Sequence, residues 1–215
     1  MQPLHRPAIA SIAPLALTAL VLLLAGCAKT PSGKVTADDA SMGSPDAKIT
    51  VIEYASVACP LCARFNRDVM PELKAKYIDT GKIHYVFRPM MTGNPAVATA
   101  GHRLAECAGK DKYFNVVDAV MRSQEAMGGE ETGYANARPV LLNIAASIGM
   151  SEADFTKCVT DAKAVERLNT LNENYMKDDN ITGTPTFVIN GKTLTRKKGD
   201  ISDFDEAFKP YLKGQ

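Results

Sequence analysis

The apolar positions of this chain recur with two different periods, and the changes between them mark its organisation. Residues 49–54, Ile-Thr-Val-Ile-Glu-Tyr, form a short run rich in β-branched side chains and of strand length. Residues 63–77 follow a helical pattern. Pro71 within it predicts a kink, because its ring has no amide hydrogen and collides with the preceding turn. Gly81 stops that helix and announces a second strand at 83–87. Strand, helix, strand in this order predicts a βαβ unit with parallel strands. From 92 to 179 the pattern is helical, with five candidate helices at 95–107, 111–127, 138–148, 151–159 and 161–177. Ser151 with Asp154 resembles a capping box, Gly149 ends the helix before it, and 128–133 reads as a loop. The strand pattern returns at 186–189. There Asn190-Gly191 is a strong hairpin signal that turns the chain back through 192–195. A closing helix at 201–212 carries Phe204, Phe208 and Leu212 on one stripe.

The N-terminus reads as a targeting segment. His5 and Arg6 supply a weakly basic start, and 8–25 is an apolar stretch interrupted only by Ser11, Pro14 and Thr18. It ends in Leu24-Ala25-Gly26-Cys27, which resembles the bacterial lipobox. Signals of that kind are cut before the cysteine, whose sulfur carries a diacylglycerol. A plain secretory signal and an uncleaved membrane helix are the alternatives, and the run is near the short end for a span. Cys27 is therefore the expected lipidation site, anchoring the protein to a membrane that it does not span. The expected address is the periplasmic side of a bacterial cell envelope, or the periplasm itself if the lipobox is unused. Disulfides persist in that oxidising compartment. The expected divisions are a signal peptide (1–26), a flexible tether (27–42), a first half-domain (43–91), a helical insertion (92–180) and a second half-domain (181–215).

A length of 215 residues, 46% of them hydrophobic, bounds the remainder to one domain with an insertion. The balance of 25 basic against 24 acidic residues argues against a nucleic-acid partner. Of five cysteines, one lies in the targeting segment, which leaves two pairs. The first pair is Cys59-Pro60-Leu61-Cys62, placed where the strand at 49–54 hands over to a helix. The first amides of a helix have no partner within it, and its dipole favours negative charge there. A thiol at that position loses its proton more easily, and the thiolate is the reactive form. Cys59 is thus the expected exposed nucleophile, and Cys62, one turn on, closes a disulfide with it. Pro60 stiffens the first turn. The same spacing serves metals elsewhere, but the strand–turn–helix setting favours redox chemistry.

Together with Gly183-Thr184-Pro185-Thr186-Phe187 far downstream and a helical insertion between, these residues resemble the DsbA-like branch of the thioredoxin superfamily. The resemblance covers roughly 46–213. It implies an α/β thioredoxin-like fold with an all-helical insertion between the βαβ and ββα halves. It further implies a cis Thr184–Pro185 bond lying against the cysteine pair, and thiol–disulfide exchange with extracytoplasmic proteins. No cofactor beyond the Cys59–Cys62 disulfide is needed. Pro60, Thr184 and Pro185 are the substrate-binding residues it implies, since a backbone turned at a cis proline leaves Thr184 free to pair with an extended segment. A substrate thiolate attacks Cys59, and a second substrate thiol then releases the oxidised product; run backwards, Cys62 resolves the mixed disulfide. Strong oxidants of this family often carry His where Leu61 stands, and leucine cannot donate a hydrogen bond to the thiolate.

Glu53, inside the apolar strand, matches a position where the family often has a buried acid. It either shuttles the Cys62 proton with a raised pKa or sits exposed on an edge. Cys107 and Cys158 form a structural disulfide tying two helices, worth about 4 kcal/mol by the chain-entropy model, or else stay as inert thiols or a second redox pair. His84 and His102 read as packing or surface, and Met90-Met91 as core or as the floor of a groove. The expected partners are cysteine-containing or unfolded envelope proteins and a membrane redox partner, either a quinone-linked oxidase or a thiol donor. The protein itself is expected to be a monomer. Disulfide donation is the first reading. Reduction or isomerisation is the second, and Cu(I) binding by Cys59 and Cys62 is the rival of another class. Zinc lacks further ligands at a suitable spacing.

Overall fold

The structure, a computed structural model, describes residues 33–129 and 132–213. The signal peptide expected over 1–26 and the lipidation site Cys27 lie outside the described residues. Among those described, five strands form one sheet in the order β1-β3-β2-β4-β5. They are β1 (Ala40–Gly43), β2 (Ile49–Ala55), β3 (Ile83–Pro89), β4 (Thr186–Ile189) and β5 (Lys192–Thr193). β2 and β3 run parallel, as the βαβ reading requires, and the other neighbours are antiparallel. Asn190 and Gly191 turn β4 into β5 with φ of 46° and 79°, the left-handed pair that a tight hairpin needs. β5 holds only two residues, shorter than the expected return over 192–195.

Helix α1 (Pro60–Asp68) follows β2, and α2 (Met70–Leu73) continues it after a break at Val69. A π-helical turn (Lys74–Ile78) then closes the segment. The expected kink is present, two residues ahead of the proline that causes it. Pro71 has no amide hydrogen for the Arg67 carbonyl, so the ladder stops before it. The insertion comprises α3 (Pro95–Cys107), α4 (Tyr113–Arg122), α5 (Ala137–Ser147), α6 (Glu152–Val159) and α7 (Ala162–Lys177). Asn94, Ser151 and Asp161 cap α3, α6 and α7 through their side chains. α4 ends five residues earlier than its expected limit of 127, because the Ser123 amide bonds back to the Ala119 and Val120 carbonyls and tightens the last turn. α8 (Ile201–Leu212) closes the fold.

Alternation along β2 decides what each face of the sheet meets. Val51, Glu53 and Ala55 face α1, the insertion and α8, within the larger core. Phe65, Phe187 and Phe204 meet there with ring centroids 4.6 to 5.8 Å apart. Each such buried ring contributes about 1.5–3 kcal/mol. Ile52 and Tyr54 point the other way, into a smaller core with Val86, Met90, Tyr175, Ile181 and Val188.

The segment expected as a tether over 27–42 is part of the fold from at least Val35 onward. Val35 packs on the smaller core, and β1 pairs with β3. The cause is Arg88, a buried cation on β3. Its Nε and Nη2 donate to both Asp39 carboxylate oxygens at 3.1 Å, and Nη2 donates to the Lys34 carbonyl at 2.9 Å. Nη1 reaches Tyr54 Oη at 2.9 Å and Asp179 at 3.3 Å. Asp38-Asp39 reads as solvated in a linear sequence, because its counter-charge lies on a distant strand. The cluster ties the N-terminal segment, the sheet and the end of α7 together. Arg88→Met leaves two carboxylates buried without their cation. It should destabilise the protein by about 3–5 kcal/mol, read as a lowered urea midpoint; an unchanged midpoint would show that the cluster is not a clamp.

Candidate active site

β2 ends at Ala55, and four residues later Cys59 occupies the N-cap position of α1, with extended backbone and Pro60 in the first helical turn. The strand-to-helix placement expected for the cysteine pair is therefore present. Both cysteines are free thiols. Cys59 is not open to solvent as expected: it is 8% exposed, and Cys62 is fully buried. The Thr184–Pro185 segment, whose peptide bond is cis, lies over it. The Cys59 thiol donates to the Thr184 carbonyl at 3.6 Å. Pro60 and Leu61 are exposed beside it, Leu61 at 59%.

The two thiols differ in acidity. Cys59 is lowered to about 5, first by a hydrogen bond from the Cys62 thiol. Burial opposes this, while the Thr184 side chain and the Cys62 and Leu61 amides reinforce it. The helix amides named by the sequence reasoning thus contribute, but less than the second thiol. Cys62 is raised well above its ordinary value, by burial first, then by its bond to Cys59 and by the charge of Glu53.

Glu53 is buried, at 2% exposure, so the exposed-edge alternative does not hold. Burial raises it to about 7 against the opposing effects of the Tyr85 hydroxyl and of Arg196. Tyr85 donates a hydrogen bond to Glu53 Oε2, while Oε1 has no hydrogen-bond partner. The structure therefore brings Cys59, Cys62, Glu53, Thr184 and Pro185 to one end of the sheet.

Several residues that shape the site left no sequence signal. Ser56 Oγ donates to the Thr92 carbonyl at 2.7 Å, and Thr92 Oγ1 lies 2.6 Å from Thr184 Oγ1. The turn before Cys59 is thereby linked to the Thr184 loop. Gln124 Nε2 donates to the carbonyls of Val57 and Cys59, at 2.7 and 3.2 Å, and Tyr134 Oη donates to Ala58 at 3.1 Å. The insertion thus satisfies the carbonyls of the approach to α1, which are turned away from the sheet ladder.

Cys107 and Cys158 are joined as a disulfide between the end of α3 and α6, far in sequence from the cysteine pair. His102 is fully buried in α3 with Nε2 3.3 Å from the Met90 carbonyl, and burial pushes it down to about 4. Both His102 and the buried His84 act in packing, and Met90 is core. Met91 is half-buried, its amide bonded to Asn172 Oδ1 at 2.9 Å. Among the described residues, no group of three or more His, Cys, Asp or Glu side chains could hold a metal ion, and no helix is long and apolar enough to cross a membrane.

Residues 35–209 match the family model described as thioredoxin. A Rickettsia bellii protein named, provisionally, a protein-disulfide oxidoreductase is 34% identical over 159 residues, covering 74% of this chain and 59% of its own length. The chain thus spans a little over half of the Rickettsia relatives that it matches. Disulfide bond formation protein D of Bacillus subtilis is 28% identical over 181 residues, covering 81% of this chain and 77% of that protein. The crystal structure of Wolbachia pipientis alpha-DsbA1 superposes with a TM-score of 0.70 at 28% identity, covering 82% of this chain and 92% of that one.

The asymmetry of the thiols is open to direct titration. Thiolate absorbance near 240 nm should rise with a midpoint near 5 for Cys59. Cys62→Ala removes the largest stabiliser of the charge and should move that midpoint upward, toward the free-thiol value of about 8.5. A depressed folded-state pKa stabilises the fold above the unfolded value and loses that contribution as pH falls. The dithiol protein should therefore lose stability relative to the disulfide form as pH drops from about 9 toward about 5. A Cys59 midpoint near 8.5 in the unmutated protein would contradict the arrangement described.

Proposed function

The chain belongs to the thioredoxin family, on its DsbA-like branch, and from that premise we propose that it is a thiol–disulfide oxidoreductase that donates disulfides to cysteine-containing proteins of the cell envelope. The carrying observation is the unequal acidity of two adjacent thiols, Cys59 at about 5 and Cys62 well above its ordinary value. A thiolate stabilised on Cys59 favours the dithiol form, and a pair that is stable when reduced is a strong oxidant when oxidised. The Leu61 side chain supplies none of that stabilisation, which comes instead from the Cys62 thiol, the Thr184 side chain and the backbone amides of Cys62 and Leu61.

The steps follow from the placement of the groups. A substrate thiolate approaches Cys59 past the exposed Pro60 and Leu61, with its backbone extended beside Thr184. It attacks Cys59 Sγ, the Cys59–Cys62 bond breaks, and Cys62 leaves as a thiolate that takes a proton from Glu53. A second substrate thiolate then attacks the substrate sulfur of the mixed disulfide. Cys59 leaves with the electron pair as a stabilised thiolate, and the substrate departs oxidised. Glu53, buried and balanced near neutrality, is the proton exchanger for Cys62. A membrane redox partner, such as a quinone-linked oxidase, must then reoxidise the pair. Cys107–Cys158 acts as a structural clip. Lipidation at Cys27 places the protein on the periplasmic side of a membrane, where it works as a monomer.

Reduction or isomerisation uses the same atoms in the opposite direction, so the equilibrium with glutathione separates the readings. The potential of the Cys59–Cys62 pair should lie nearer the roughly −120 mV of strong periplasmic oxidants than the roughly −270 mV of thioredoxin. A value at the thioredoxin end would overturn disulfide donation in favour of reduction. Cys59→Ser should abolish oxidation of a reduced, unfolded substrate protein. Copper binding gains no support from the relatives, which are named for disulfide chemistry. In cells, Cys27→Ser should move the protein from the membrane fraction to the soluble envelope fraction; retention in the membrane would count against lipid anchoring.

A further inference from the structure

Two oppositely charged side chains each keep an unused hydrogen-bonding atom inside the protein. They are Glu53 with Oε1 and Arg196 with Nε; among the described residues only His102 Nδ1 shares that condition. The two belong to the same face of the sheet. Glu53 pairs with Phe187 in the β2–β4 register, so their side chains emerge together. The Arg196 guanidinium lies over the Phe187 ring at 5.6 Å and over the Phe65 ring at 5.2 Å. Phe65 follows Cys62 by one turn of α1, and its ring centroid is 4.6 Å from that of Phe187. Two buried aromatic rings thus stand between a cation and the redox pair. They exclude water on the side facing Glu53, while the Arg196 side chain keeps 21% of its surface exposed on the other, which screens part of its field.

The loop that carries Arg196 is fixed. The Leu194 amide donates to the Phe187 carbonyl at 2.8 Å, and Arg196 Nη2 donates to the Gly199 carbonyl at 2.6 Å. Asp203 on α8 is the acid nearest to Arg196, yet the Nε–carboxylate distance is 4.0 Å. That carboxylate accepts the amides of Lys197, Lys198 and Gly199 instead. Those three amides hold the carboxylate, and Arg196 makes no hydrogen bond to it.

We propose that Arg196 is a positioning residue for the redox pair, acting through Glu53 by the positive charge that it holds over Phe65 and Phe187. The groups that face Glu53 are the Tyr85 hydroxyl from β3, the Cys59 and Cys62 thiols at the start of α1, and Arg196 from the loop after β5. Tyr113 stands behind Tyr85. Arg196 is the one cation in that set, and it lowers Glu53 against the rise that burial imposes. The inference rests on the reading that Glu53 exchanges a proton with Cys62. When Cys62 leaves as a thiolate, Glu53 gives it a proton and regains one from water. When Cys62 attacks, the proton moves from sulfur to the carboxylate. A carboxyl balanced near neutrality serves both directions, whereas one left without Arg196 shifts toward its protonated form, with only the Tyr85 hydroxyl to oppose burial.

The test is a carbon-13 NMR titration of carboxyl-labelled glutamate in the dithiol protein, with Glu53→Gln assigning the resonance. Arg196→Met keeps an unbranched side chain on the two rings and removes the charge, while Arg196→Lys keeps a charge. The Met variant should raise the Glu53 midpoint by about half a unit or more. The Lys variant should leave it within about 0.2 units of the unmutated protein. Arg196→Gln is a second neutral variant, should the Met variant fail to fold. Identical midpoints in all folded variants, or equal shifts in the Met and Lys variants, would overturn the proposal, because packing rather than charge would then be at work. A parent protein without exchange activity would overturn the function proposed above and leave this titration result standing, so the two failures are distinguishable.

Discussion

The chemistry of the site depends on the unequal acidity of two neighbouring thiols. Cys62 keeps its proton because it is fully buried, and it lends that proton to Cys59, which stands at the open first turn of α1. Neither thiol would behave this way alone. A buried sulfur without a partner resists ionisation, and a sulfur at a helix start without a donor one turn away loses its largest stabiliser. The surrounding fold keeps that unequal pair together: β2 delivers Cys59, α1 carries Cys62, and the Thr184–Pro185 loop lies against Cys59.

The helical insertion has a physical task in this arrangement. A chain leaving a strand and turning into a helix exposes carbonyls that belong to neither ladder. Gln124 bonds that of Val57 and Tyr134 that of Ala58, while Gln124 also reaches the Cys59 carbonyl, which already accepts the Ala63 amide. The insertion therefore fixes the turn that presents the nucleophile. Polar side chains and backbone make this contact, so its geometry is set by direction as well as by packing.

Much of the fold was legible because it is written in local patterns. The β-branched run of β2, the Asn190-Gly191 turn and the cap at Ser151 each state their structure within a few residues. The cysteine pair and Thr184–Pro185 were legible as two short motifs in a fixed order. Glu53 was legible as an acid out of place in an apolar strand, although only its buried environment tells it from an edge residue. What stayed hidden is long-range pairing. Asp39 looks solvated until Arg88 is placed beside it, and Gln124 looks like one more helical surface residue until its amide meets Val57. Arg196 sits in a stretch of basic residues that reads as a solvated loop, and only the sheet register sets it over Phe187. The exposure expected for Cys59 failed for the same reason, since the covering loop comes from the other end of the chain.

The two outermost strands of the sheet are unusually short. β5 contributes two residues and β1 four, while β2 and β3 between them run to seven each. A long bare border would offer its unpaired amides and carbonyls as a template to any extended polypeptide nearby. Borders this brief give an incoming strand little to zip onto. A fold organised in this way can stand among many unfolded neighbours without becoming the seed of their aggregation.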